Sequence, residues 1–175
     1  FRSIYDKPVP PAEAVVLFDN FLNQLAELKV PVCIISGNHD SAERLAFGAQ
    51  LMSGSGIHFA GSYNGEEQKL VFEDEFGRVN IFLLPFLKPA VVKHWAPEEA
   101  AAEITSYHDA VKYAVSQLPL VQEERNVIVA HQFVTGAVTA GSEAVNVGGL
   151  DNIGAEVFAA FDYVALGHIH NPQNV

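Results

Sequence analysis

Apolar residues at Phe18, Phe21, Leu22, Leu25 and Leu28 recur at the three-and-four spacing of one helix face. Pro10-Pro11 precedes them, where a first helical turn needs no donor, so residues 11 to 28 are expected to be helical. Val30 to Ile35 is too short for a helix and rich in β-branched residues, the pattern of a buried strand, and it ends at Gly37. Helical spacing resumes from Ser41 to Met52, with Asp40 or Ser41 as its cap. Ile57 to Ala60, Leu70 to Glu73 and Val79 to Leu84 are short β runs separated by turn residues, a meander-like middle. Ser106-Tyr107-His108-Asp109 has the form of a capping box ahead of a second long helix that ends near Leu118-Pro119. Val127 to Ala130 and Asp162 to Leu166 complete the strands, and Ala155 to Phe161 fits a short helix. Residues 134 to 150 are rich in Gly, Ala, Ser and Thr with little periodicity, which predicts a long functional loop. The alternation implies an α/β fold, a strand core with flanking helices.

Composition narrows the partners. A chain of 175 residues with 49% hydrophobic content suits one domain, residues 1–175, with a substantial core. Its formal net charge of -11 is spread along the chain with no compensating Lys/Arg stripe, so tight unaided binding of a phosphate backbone is not expected. Metal ions or a partner would have to supply positive charge to any nucleic-acid substrate. Cys33 is the only cysteine, which excludes a disulfide framework and fits a reducing compartment. No apolar stretch approaches a membrane span and no signal-peptide pattern opens the chain, so a cytoplasmic location is expected.

Three polar clusters follow apolar runs: Gly37-Asn38-His39-Asp40, Ala130-His131-Gln132 and Gly167-His168-Ile169-His170. Each alone has an ordinary explanation, a turn or a hydrogen-bonded core histidine. Together, at the carboxyl ends of three expected strands, they would gather metal-binding nitrogen and oxygen along one rim of a sheet. In extended chain His168 and His170 would share a face with Cβ atoms roughly 6 to 7 Å apart, suited to one ligand for each of two metals. Gly37 allows close backbone approach, Asn38 offers a neutral oxygen, and His39 beside Asp40 has the makings of an oriented imidazole. His58, His94 and His108 fit packing or solvent, and Cys33 fits a small core hydrophobe.

These three motifs resemble those of calcineurin-like metallophosphoesterases. With Ile4-Tyr5-Asp6-Lys7, Val9 to Ala14, Ser41-Ala42-Glu43-Arg44, Leu84-Pro85-Phe86, His131-Gln132-Phe133 and Val147-Gly148-Gly149, the chain is similar over nearly its whole length to SbcD-type nucleases. The resemblance implies a metallophosphoesterase-type β-sandwich core flanked by helices. It implies two divalent metal ions, expected to be manganese, with Asn38, His131 and His168 ligating one and His170 the other. It implies His39, steadied by Asp40, as the group that stabilises or protonates the departing 3′ oxygen. The implied activity is double-strand exonuclease and hairpin or single-strand endonuclease cleavage of DNA in recombination, replication and repair. The implied partners are an SbcC-type ATPase and a second copy of the nuclease subunit.

The chain departs from the family pattern at its start. The family's Asp-x-His motif has no counterpart here, and Ser3 stands where its metal-bridging aspartate is expected. Residues 1–175 are accordingly expected to be an incomplete nuclease domain, truncated at both ends and inactive alone. The alternatives are a scaffold of the same fold that binds a protein partner and a phosphodiesterase acting on small molecules.

Overall fold

The computed structural model describes residues 3–137, 152–170 and 172–174. Among these, eight strands and six α-helices alternate with one short 3-10 helix, so the protein is mixed α/β. Strands β1 (Val32–Ile35) and β2 (Ile57–Ala60) pair in parallel as a two-stranded sheet. Strands β3 (Lys69–Asp74) and β4 (Gly77–Leu84) form an antiparallel hairpin, closed where Asp74 Oδ1 accepts from the Phe76 amide at 2.8 Å and Gly77 takes φ +104. Beyond β4 the sheet continues in parallel through β5 (Arg125–His131) to β8 (Tyr163–Gly167), in the order β3-β4-β5-β8. A third small sheet joins β6 (Phe133–Val134) to β7 (Asn152–Ile153).

Parallel neighbours require a crossover, and the segment between β4 and β5 supplies it in three helices. These are α4 (Pro89–Trp95), α5 (Glu98–Glu103) and α6 (Tyr107–Ser116). Phe82, Ile128 and Ala130 of the central strands pack with Leu87, Val92, Ile104, Val111 and Ala114 into one buried cluster. Helix α6 begins on a true capping box: Ser106 Oγ accepts from the Asp109 amide at 3.1 Å, and Asp109 Oδ2 accepts from the Ser106 amide at 2.9 Å.

The six expected strands, β1 to β5 and β8, and α6 lie where the sequence pattern put them, β6 and β7 were not expected, and the helical segments elsewhere differ. Helix α1 (Ala12–Glu27) has nearly the expected bounds but no fully buried residue. Phe18 meets Tyr5 and Phe59 edge-on at 5.7 and 6.3 Å, while Leu17, Phe21 and Leu28 stay exposed. Residues 41–52 are two short helices, α2 (Ala42–Leu45) and α3 (Ala49–Ser53), because Gly48 adopts φ +76 and breaks the run. The middle is one hairpin rather than a meander, since β2 leaves to pair with β1. The 3-10 helix covers Ala155–Phe158. The loop expected over 134–150 lies outside the described residues from 138 on, and Val134 itself belongs to β6. Among the described residues no helix is long and apolar enough to cross a membrane.

Candidate metal centre

Five strands, β1, β2, β4, β5 and β8, deliver their carboxyl ends to one rim. The exit of β4 is tied to the exit of β1 where the Phe86 amide donates to the Ser36 carbonyl at 3.0 Å. Ser36 Oγ in turn donates to the Gly61 carbonyl, fixing the end of β1 against the end of β2. Strand β5 ends on His131, paired in register with Gly167 at the end of β8, so His168 follows immediately alongside. The register therefore brings together residues distant in sequence.

Asn38 and His131 meet there, with Oδ1 and Nε2 3.1 Å apart. As a hydrogen bond this has His131 Nε2–H donating to Asn38. With the proton on the other ring nitrogen, both atoms present lone pairs to a common point. Two adjacent donors on a first-row ion, each about 2.1 Å from it, lie about 3 Å apart, so the observed spacing fits shared ligation. Burial pushes the His131 pKa down to about 3, with further lowering from the neighbouring His168, His39 and His170. A neutral imidazole at pH 7 is what metal ligation needs.

His168 packs beside His131, ring centroids 5.3 Å apart and nearly perpendicular. Phe86 stacks on His168 at 6.3 Å and meets His131 edge-on, and Phe133 meets His168 edge-on at 5.9 Å. Both imidazoles are buried, in an aromatic surround that holds their ring planes. His168 has φ +73, in the left-handed region that non-glycine residues seldom enter. Strand β8 stops at Gly167, and the chain turns at His168 rather than extending through His170. The expectation that His168 and His170 share one face of an extended strand is thus corrected. His170 is half-buried and within electrostatic reach of His131.

Gly37 makes the close approach possible. A Cβ at this position would lie 2.7 Å from His131 Cε1 and 2.9 Å from Nε2, and would collide with Ser3 Oγ. Ser3 Oγ donates to Asn38 Oδ1 at 3.3 Å and accepts from the His39 amide at 3.3 Å, which places Ser3 inside the cluster.

Asp40 plays a different part from the one expected. Its carboxylate accepts the backbone amides of Ile4, Tyr5 and Gly37 at 3.0, 2.7 and 2.8 Å, pinning the amino-terminal segment to the turn after β1. The His39 imidazole is exposed, and its Nδ1 lies 3.1 Å from the Asp6 carbonyl. A carbonyl can only accept, so Nδ1 carries the proton and Nε2 is the atom that can take or give another. Asp40 therefore positions the loop, and the Asp6 carbonyl orients the ring.

Among the described residues, no group of three or more His, Cys, Asp and Glu side chains is disposed to hold an ion. The donor set that does converge, Asn38 and His131 with His168 beside them, fits one cation held by neutral ligands. It contains no carboxylate and does not by itself fit two cations. Ser3 sits where the sequence pattern expects an acidic ligand, and Phe86 and Phe133, which fall in motifs but carry no expected role, pack on the His168 ring. Cys33 is half-buried in β1 with its thiol pKa raised by burial, as suits a packing residue. Val147-Gly148-Gly149 lie outside the described residues. No protein-family model matches the chain.

Proposed function

We propose that this chain carries the core of a metal-dependent phosphodiesterase site, in a metallophosphoesterase-type β-sandwich, and that the parent activity is cleavage of DNA. The observation that carries the reading is the 3.1 Å meeting of Asn38 and His131 at the ends of two strands, with His168 packed against them. The motif resemblance supplies the substrate class and manganese as the expected ion.

Divalent cations, when bound, supply charge neutralisation at a phosphate and activation of a water nucleophile. Asn38 and His131 would hold one such ion, His168 would complete its ligand set, and His170 would belong to a second. His39 lies exposed at the tip of its turn with Nδ1 committed to the Asp6 carbonyl, so Nε2 can deliver a proton to a departing alkoxide. Phe86 and Phe133 restrict the rotation of His168 and exclude water from its ring faces. The acidic surface, net -11, leaves grip on duplex DNA to an SbcC-type ATPase partner and to a second nuclease subunit.

The test uses the longest native chain containing these residues. Manganese titration by calorimetry should show saturable binding that His131→Ala removes, and a labelled DNA hairpin should be cut only with manganese present. Binding without any DNA cleavage, but with hydrolysis of nucleotide diesters, would transfer the activity to small molecules. A second reading, a scaffold of this fold that binds a protein partner, would be favoured by Ser3 standing at this position in the native gene. Failure of the native chain to bind manganese would select it.

A further inference from the structure

None of the metal-centre residues lines a second concavity, a cleft of about 520 Å³ between the loop joining β2 to β3, the end of α4 and the outer side of α6. Three aromatic residues, Tyr63, Trp95 and Tyr113, and two carboxylates, Glu66 and Glu67, line it. No Lys, Arg or His is among its lining residues. Trp95 is 52% exposed although it is the largest apolar side chain in the protein, and both glutamates are exposed.

The cleft is built by specific local contacts. Gly65 has φ +80, and a Cβ there would lie 3.0 Å from Trp95 Cβ, so glycine lets the loop backbone lie against the indole. Asn64 Nδ2 donates to Glu66 Oε2 at 3.2 Å, while Asn64 Oδ1 accepts from the Glu66 amide at 3.2 Å. That pair of bonds aims the Glu66 carboxylate instead of leaving it to swing in solvent. Tyr63 is half-buried beside Tyr113, and its phenol pKa is raised by burial and by that neighbour.

We infer that this cleft binds an arginine side chain of a protein partner. Aromatic faces attract cations through their quadrupole, and carboxylates attract them by charge. Both features of the lining therefore select one ligand class and reject phosphate, nucleic acid and acidic peptides. Guanidinium suits the lining better than ammonium, because its plane stacks on an indole or phenol while its edge pairs with a carboxylate. The volume holds an arginine and its flanking backbone. The net charge of -11 strengthens attraction of a basic segment at long range. The inference is independent of the phosphodiesterase reading, since no residue is shared.

Trp95 is the only tryptophan, so emission excited selectively over tyrosine reads this cleft. The full chain is titrated with an acetylated, amidated Gly-Arg-Gly-Arg-Gly peptide and with the same peptide carrying citrulline, which keeps the shape and removes the charge. The arginine peptide should change Trp95 emission saturably, the citrulline peptide should bind about tenfold more weakly, and added salt should weaken the arginine peptide. Glu66→Gln with Glu67→Gln should weaken the arginine peptide about tenfold while leaving the circular dichroism unchanged. Equal responses to the two peptides, or binding untouched in the double variant, would overturn the inference. Emission that varied with protein concentration in the absence of peptide would assign the cleft to a second copy of this chain and also overturn it.

Discussion

Asn38 Oδ1 lies 3.1 Å from His131 Nε2 although 93 residues separate them, and each stands at the end of a different parallel strand. Neither strand could place its residue alone. The contact exists because the Phe86 amide ties the exit of β4 to Ser36 at the exit of β1, while β4 pairs directly with β5. Replacing Asn38 or His131 by alanine removes one of two adjacent donors. Manganese affinity in the native chain should fall by about tenfold or more in each variant, read by calorimetry or by the loss of the free-ion paramagnetic signal. Unchanged affinity in both would remove these residues from any metal site.

Gly37 is required by contact and not by backbone conformation, since it does not take a positive φ. In Gly37→Ala the new methyl meets the buried His131 ring and Ser3 Oγ. Ser3 can yield, whereas the imidazole is held by Phe86 and His168. A destabilisation of about 1 to 3 kcal/mol is expected, from overpacking, together with a weaker Asn38–His131 contact. Urea denaturation measures the first effect and metal titration the second. A wild-type unfolding midpoint would show that the ring moves freely.

Asp40 accepts three backbone amides from two segments of chain. Asp40→Ala leaves these donors without their charged acceptor, and such bonds contribute about 1.5 to 3 kcal/mol when well shielded, less here because the carboxylate is half-buried. Amide exchange at Ile4, Tyr5 and Gly37 should accelerate in the variant, while exchange in β5 and β8 stays slow. Faster exchange throughout the sheet would indicate global unfolding and a wider role for Asp40.

How far the sequence exposed this arrangement differs by element. Short apolar runs marked β1, β5 and β8, because the central residues of each are apolar and too few for a helix. The Ser106-Asp109 box was legible for the opposite reason: its partners are three residues apart, so the whole interaction sits inside one motif. Helices α4 and α5 carried no expectation: each is under two turns long, too short to show a helical period, and each starts at or just after a proline, which a first turn accommodates. The left-handed turn at His168 and the alliance of Asp40 with Ile4 and Tyr5 had no local signature. Both are set by tertiary placement, and the first of them overturned the extended-strand argument for His170.

The capping box makes a pH-dependent prediction. Hydrogen bonds from Ser106 and Thr105 hold the Asp109 carboxyl down at about 2 in the folded protein. An unfolded aspartate titrates near 3.9, so the ionised form is favoured by folding. That contribution is fully present above about pH 4 and is lost as pH falls through the folded value. Asp109→Asn should therefore flatten the fall in stability between about pH 4 and pH 2, and Ser106→Ala should cost about 1 kcal/mol at neutral pH. Thermal unfolding across that range is the measurement, and parallel pH curves for wild type and Asp109→Asn would contradict the assignment.

Ser3 offers the most direct probe of the metal reading. Its hydroxyl touches Asn38 Oδ1 at 3.3 Å and borders Gly37 and His131, so a side chain at position 3 already reaches the converged donors. What the set lacks is a carboxylate. Ser3→Asp would add an anionic oxygen beside the neutral donors of Asn38 and His131, and hard divalent cations prefer such oxygen ligands. Manganese affinity should rise by about tenfold, equivalent to about 1.4 kcal/mol, and should weaken again as pH falls through the carboxylate range. Ser3→Asn is the control, matching the aspartate in size without its charge. If both variants bind manganese equally, the charge at position 3 does not face the ion; if neither binds it, the cluster of Asn38, His131 and His168 is a packing arrangement of buried polar groups instead of a metal centre.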